Sequence, residues 1–305
     1  VIPVRGAGIT VRSHAVAPSL ENLLVVGIAS SALFDLSASD AVFQSEGEQA
    51  YRAYQEAHLD EPFAPGVAFP FIRRLLQLNS LGPLVEVIVL SRNSPDTGLR
   101  ILRSAAHHGL AITRAIFTEG RAPHEFMPAL NMSLFLSAHS DDVRKATLAG
   151  MPAGQVLASS FIDDDDPALR IAFDFDGVLA DDAAERIYQS GGLDRFQEHE
   201  ATNVVTPLDP GPLRNFLAGI NRIQRQAEDR IRVSVVTARS APAHERAINS
   251  LKAWGLTVND AFFLGGLRKA PILDVLKPHI FFDDQRGHLI QTVPCVHIPF
   301  GVANE

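Results

Sequence analysis

Asp174 and Asp176 stand one residue apart at the end of an apolar run, in the stretch IAFDFDGVLADD at 171–182. Ile171, Ala172 and Phe173 predict a buried strand, and in a strand residues i and i+2 share a face. Both carboxylates then emerge together at a strand's carboxyl end, where open α/β sheets bind ligands. Two carboxylates in one small cleft repel each other and require a cation or a shared proton. A hard divalent ion such as Mg2+ fits best, because it takes a few carboxylates and completes its shell with water and phosphate oxygens. The pair predicts a protein that handles phosphate.

Three further features follow in order: Thr237 after Val233-Ser234-Val235-Val236, Lys269 before a helical segment, and Asp283-Asp284 after Phe281-Phe282. Each has a job in phosphate-monoester hydrolysis. Asp174, ionised at neutral pH, would attack phosphorus and form an aspartyl-phosphate. Asp176 would protonate the leaving oxygen and later take a proton from water. Mg2+ would be held by Asp174, the backbone carbonyl of Asp176 and a carboxylate of the Asp283-Asp284 pair. Thr237 offers a hydroxyl to a phosphate oxygen, and Lys269 a compact positive charge. Alone, each feature has a plain structural explanation: a solvated loop, a strand-ending threonine, an exposed helix start, a turn with a helix cap. All four in order make coincidence a poor account.

Neighbouring residues are weaker candidates. Ala238 and Arg239 follow Thr237 in the expected phosphate-binding segment; Arg239 could contact phosphate or cap a helix. Asp181 and Asp182 read as solvated turn residues, and His199-Glu200 as a satisfied surface pair rather than a pocket lining. Ser91-Arg92-Asn93 is the best candidate for a segment contacting base or sugar.

Strand-like runs alternate with amphipathic stretches, which predicts an α/β fold: parallel sheets flanked by helices. Strands are expected at 23–28, 85–90, 134–136, 169–173, 231–236 and 280–282. Helices are expected at 46–57, 68–78, 98–107, 212–227 and 243–253, with Gly109 and Gly255 as helix-ending glycines. The acidic run Asp163–Pro167 reads as a solvated linker between two domains, 1–162 and 163–305.

Sliding residues 91–136 by 146 positions aligns the two halves without a gap. Ser94 meets Ser240, Arg100 meets Arg246, Ser104 meets Ser250, and Gly109-Leu110 meets Gly255-Leu256. Phe117, Gly120 and Phe135 meet Phe263, Gly266 and Phe281. The matching polar residues point to a duplication: two related Rossmann-like units in tandem. The first unit has Ala29–Ser31, Ser91, Pro123, Ser137 and Ala138 where the second has its carboxylates, threonine and lysine. It is expected to shape a substrate pocket or an interface, with one active site per chain.

Bulk properties narrow the class. With 305 residues, 46% hydrophobic and 20% charged, the chain reads as globular. A net charge of -8 argues against binding a nucleic acid polymer. No apolar stretch approaches the ~20 residues that span a bilayer. The lone Cys295 and the lack of a signal-peptide pattern in the first twenty residues predict a cytoplasmic location.

The four features resemble the motifs of the haloacid-dehalogenase-like phosphatase superfamily. Longer stretches resemble one family within it, the cytosolic 5′-nucleotidase type I family: SSALFDL at 30–36, PGVAFPF at 65–71, LFLSAHSDDVRKA at 134–146, GLDRFQEHE at 192–200, VVTARSA at 235–241 and HIFFDDQ at 279–285. The resemblance implies Mg2+-dependent hydrolysis of nucleoside 5′-monophosphates to nucleoside and phosphate, and allows a homo-oligomer. It also implies a small helical cap insertion at about 183–209 in the second unit. Asp-Phe-Asp-Gly is closer to the wider superfamily than to some animal members of the family, so base preference does not transfer. The competing expectations are a phosphatase for another small phosphomonoester, and a nucleotide-binding regulatory protein with weak turnover.

Overall fold

The computed structural model describes residues 20–164 and 166–304. The first nineteen residues, on which the expectation of no leader rests, and Asp165 in the acidic run lie outside the described residues. The first half runs β1 (Leu24–Ile28), α1 (Ser30–Leu33), α2 (Ser37–Ala57), α3 (Phe69–Gln77), β2 (Val85–Ser91), α4 (Pro95–His107), β3 (Arg114–Phe117), β4 (Met132–Ser137), α5 (Ser140–Leu148) and β5 (Ala153–Val156). The second runs β6 (Leu169–Phe173), α6 (Ala183–Thr202), α7 (Arg214–Gln224), β7 (Ile231–Thr237), α8 (His244–Ala253), β8 (Asp260–Phe263), α9 (Ala270–Leu276), β9 (Ile280–Asp283) and β10 (Cys295–His297). The central strands are Val- and Ile-rich and buried on both faces, as parallel strands between helical layers must be.

All ten strands form one sheet in the order β3-β2-β1-β4-β5-β10-β9-β6-β7-β8. The order is a palindrome of the two halves. Pairing is parallel within each half, and β5 meets β10 antiparallel through Val156–Val296 and Gln155–His297. The duplication is therefore visible as two five-strand units related by an approximate twofold at the β5–β10 seam. Antiparallel pairing at the seam sends the strand ends of the two units to opposite edges of the sheet.

That geometry corrects one expectation. Ser91 ends β2, six strand steps from β6 and on the other edge. At about 4.8 Å per step, Ser91-Arg92-Asn93 lies about 29 Å across the sheet from Asp174. It cannot touch a mononucleotide bound there by the same chain.

The halves share one core. Helix α3 packs against β6, and α7 against β1 and β4. A Cβ at Gly219 of α7 would fall 2.6 Å from Leu24 of β1, so glycine permits that approach. Phe71 of α3, Phe216 of α7, Phe173 and Phe282 stack beneath the sheet, with Phe173 and Phe282 centroids 5.2 Å apart.

Both halves carry a broken helical insertion after their first strand. Gly47 interrupts α2 with φ +83, and Gly192 interrupts α6 with φ +71. The cap expected only in the second unit thus has a counterpart in the first. Gly109 and Gly255, both at φ +67, end α4 and α8 as expected.

The described acids of the run are tied down by arginines from both halves. Arg74 of α3 is buried and reaches Asp163 Oδ1 at 2.7 Å, the Asp164 carbonyl at 2.7 Å and the Asp166 carbonyl at 2.9 Å. From the second half, Arg170 holds Asp164 and Asp166 at 2.6 Å each. Beside them His279 is fully buried; its Nδ1 accepts the Arg170 N–H at 3.0 Å, leaving Nε2 3.5 Å from Asp164. A clasp of arginines locks the segment between the halves.

Burial, then Arg170 and Arg74, push the His279 pKa down to about 4. The unfolded value is about 6.5, so between the two the unfolded chain binds a proton that the folded chain refuses. This contribution to stability is complete above about pH 6.5 and is lost as pH falls toward 4. The melting temperature should drop through that window. His279→Asn, which keeps an acceptor for Arg170, should show a shallower drop; equal slopes would contradict the assignment.

Candidate active site

Strand β6 runs between β9 and β7, and Asp174 continues it by donating its N–H to the Phe282 carbonyl at 2.8 Å. The chain then turns sharply. Asp174 Oδ1 accepts the Phe175 N–H at 2.7 Å, and Phe175 turns inward to stack on Trp254. Gly177 sits at φ +69, where a Cβ would lie 2.5 Å from Asp284 Oδ2. Left-handed backbone and a carboxylate against the α-carbon both demand glycine.

Thr237 ends β7, Lys269 caps α9, and Asp283 ends β9. The fold brings these together with Asp174. Lys269 Nζ lies 2.8 Å from Asp174 Oδ2 and 2.6 Å from Asp283 Oδ2. Asp283 Oδ1 accepts the Gln285 N–H at 2.8 Å and faces His288 Nδ1 at 3.2 Å. Thr237 Oγ1 accepts the Arg239 N–H at 3.2 Å, which leaves its hydroxyl proton for another acceptor. Ala238 is exposed beside it.

Arg239 departs from expectation. It is buried, and grips Asp176 with two bonds, Nε to Oδ2 at 2.7 Å and Nη2 to Oδ1 at 2.6 Å. Its Nη1 donates to Glu200 and to the Ala243 carbonyl. Four of its N–H donors are committed to protein rather than turned to a ligand. Glu200, expected at the surface, is fully buried between Arg239 and Arg246, with His199 at 3.1 Å. Asp182 is likewise buried, accepting from Arg186 at 3.1 Å and from the Val302 N–H at 2.8 Å. Sequence reasoning missed Glu200, although the Arg100–Arg246 match flags its partner.

The electrostatics of the cluster are those of a cation site. Asp174, Asp283 and Asp284 are all buried, with Asp176 beside them and one ammonium among them. Burial, then the charges of Asp283 and Asp176, raise the Asp174 pKa to about 6 against the pull of Lys269. Burial, then Asp174 and Asp283, raise Asp284 to about 9. Asp283 moves the other way: burial would raise it, but Lys269 and His288 outweigh that. Burial likewise disfavours the Lys269 charge, yet Asp174 and Asp283 hold its pKa up. Asp284 Oδ1 is buried without a hydrogen-bond partner, a costly state for a carboxylate oxygen. Atoms of Asp174, Asp283 and His288 also lie within 4.8 Å of one another. With Asp283 spent on Lys269, Gln285 and His288, the open oxygen of Asp284 and the Asp174 carboxylate best fit a hard divalent ion.

A carboxyl whose folded pKa is raised stabilises the fold below its unfolded value of about 4 and loses that contribution as pH rises. For Asp284 the loss extends to about 9. Asp284→Asn should therefore raise the melting temperature of cation-free protein, increasingly so toward alkaline pH. The same variant should gain little or nothing from added Mg2+. A variant that melts lower without cation, or is stabilised by Mg2+ as strongly as the parent, would refute the assignment.

No helix among the described residues is long and apolar enough to cross a membrane. The 5′-nucleotidase family matches residues 16–305, taking in every residue of the cluster. Human cytosolic 5′-nucleotidase 1B is 32% identical over 289 residues, covering 89% of this chain and 47% of that protein. The chain thus spans about half the length of that curated relative. No solved structure matches it. The family match runs over both duplicated units, and on that ground the chain belongs to the 5′-nucleotidase family.

Proposed function

We propose that the chain is a Mg2+-dependent phosphomonoester hydrolase acting on nucleoside 5′-monophosphates, with Asp174 as nucleophile. The observation that carries this is that Lys269 Nζ lies within 2.8 Å of both Asp174 and Asp283 at the ends of β6 and β9, in a chain of this family.

In this reading Asp174 attacks phosphorus as the ester oxygen leaves on the opposite side. A bond forms from Asp174 to phosphorus, the bond from phosphorus to the 5′-oxygen breaks, and Asp176 gives its proton to that oxygen. Water then attacks the aspartyl-phosphate, Asp176 takes back a proton, and phosphate departs. Lys269 holds the nucleophile in place and offsets charge on the incoming phosphate, while the Thr237 hydroxyl and the exposed Ala238 N–H orient it. Mg2+, held by Asp174, the Asp176 carbonyl and Asp284, would keep Asp174 ionised and let two anions approach. The pKa of about 6 at Asp174 supports that need, since an uncompensated carboxylate there tends to hold its proton. The relative is a cytosolic protein by name, and together with the free Cys295 this supports a cytoplasmic location.

A substrate panel tests the reading. With Mg2+, phosphate release from nucleoside 5′-monophosphates should exceed that from sugar phosphates about tenfold or more. Asp174→Asn should lower it at least about a thousandfold. Sugar phosphates in the lead would reassign the substrate class. Tight nucleotide binding with no phosphate release would instead favour a regulatory protein.

A further inference from the structure

We propose that Glu200, carried on the cap helix α6, is a positioning residue that sets the general acid through Arg239. The inference rests on the phosphatase reading above, and on a chain of contacts: Glu200 holds Arg239, and Arg239 holds both oxygens of Asp176. The guanidinium carbon lies over the rings of Phe175 and Phe196, 5.3 and 5.5 Å from their centroids. A planar fork with two rings beside it, anchored at one end by Glu200 and bonded twice at the other, can swing very little. Asp176 then presents its oxygens in a single orientation.

The duplication supplies an internal control. In the second half Arg246 donates to Glu200 at 2.7 Å and to the Thr206 carbonyl at 2.8 Å, while Ser250 joins the Arg246 carbonyl to the Leu208 N–H. In the first half Arg100 donates to Gln55 at 3.1 Å and to the Glu61 carbonyl at 2.9 Å, while Ser104 joins the Arg100 carbonyl to the Phe63 N–H. The two networks match bond for bond. Gln55 performs the anchoring with a neutral amide, so securing the insertion to the helix behind it requires an acceptor and not a charge.

The carboxylate appears only where there is something further to hold. At the places of Arg239 and Phe196 the first half has Asn93 and Tyr51, linked to each other at 3.4 Å. Its first strand is followed by Ala29, Ser30 and Ser31, with no acid to orient. A fully buried carboxylate is expensive unless well paired, and glutamine at this place would avoid that cost. Glu200 is therefore accounted for by Arg239, and Arg239 by Asp176. Because Glu200 is carried on α6, the seating of that helix and the orientation of Asp176 are coupled.

Leaving-group dependence separates this role from a structural one. A nucleoside 5′-oxygen is a poor leaving group and needs the proton; 4-nitrophenolate leaves without it. Glu200→Gln keeps the acceptor for Arg246, as Gln55 does for Arg100. It should lower kcat/KM for a nucleoside 5′-monophosphate by about 10–100-fold. For 4-nitrophenyl phosphate, kcat/KM should stay within about threefold, the nucleophilic step being intact. Equal loss with both substrates, or no loss with either, overturns the proposal. If Glu200→Gln does not fold, Arg239→Lys carries the test, since lysine cannot make both bonds to Asp176 while Glu200 keeps Arg246; the same two outcomes decide it. A wild-type protein inactive on both substrates would instead overturn the phosphatase reading.

Discussion

Four carboxylates share one site, three of them buried, and much of the surrounding structure answers that constraint. Like charges at such range cannot all remain ionised without compensation. Lys269 bridges Asp174 and Asp283, Arg239 takes both oxygens of Asp176, and Asp284 is left with a bare buried oxygen. The protein tolerates this because two neighbouring strands, β6 and β9, deliver the carboxylates to one point and glycine at 177 lets Asp284 approach the turn after β6. The arrangement is costly as it stands, a cost that the proposed binding of a cation and an anionic ester would offset.

The duplicated architecture explains how a fold can support that strain. Both halves keep the same five-strand order, the same broken insertion and the same arginine–serine anchor. Only the second carries the acids at its strand ends. The first contributes stability instead: α3 packs on β6, and Arg74 clamps the acidic junction that leads into the strand bearing Asp174. Its own strand ends face the other edge of the sheet, which removes it from direct contact with substrate in the same chain.

Much of this was legible before any coordinates. Strand β6 is expected at its observed bounds because Leu169 and Ile171 to Phe173 form an apolar run, interrupted only by Arg170 and closed by acid. The 146-residue offset foretells the repeat, and Gly109 and Gly255 mark helix ends through a backbone requirement that no other residue meets easily. Other features left no local trace. Cys295–His297 is three residues long, too short for any period, yet its antiparallel seam with β5 decides which edge every site residue faces. Glu200 looks like a surface residue beside His199, since its burial is created by two arginines 39 and 46 positions away. Asp163 and Asp164 look like free solvated acids for the same reason: their partner Arg74 is some 90 residues distant. Long-range charge pairing is invisible to periodicity.

The central claim is that Asp174 becomes covalently bonded to phosphorus. During turnover of a nucleoside 5′-monophosphate with Mg2+, acid quenching followed by borohydride reduction converts an aspartyl-phosphate to homoserine, which peptide mass spectrometry can locate. The account predicts homoserine at position 174 and at no other aspartate. Sustained phosphate release under conditions that trap a reference aspartyl-phosphate, with no conversion at 174 or with conversion at Asp283 or Asp284 instead, would contradict it.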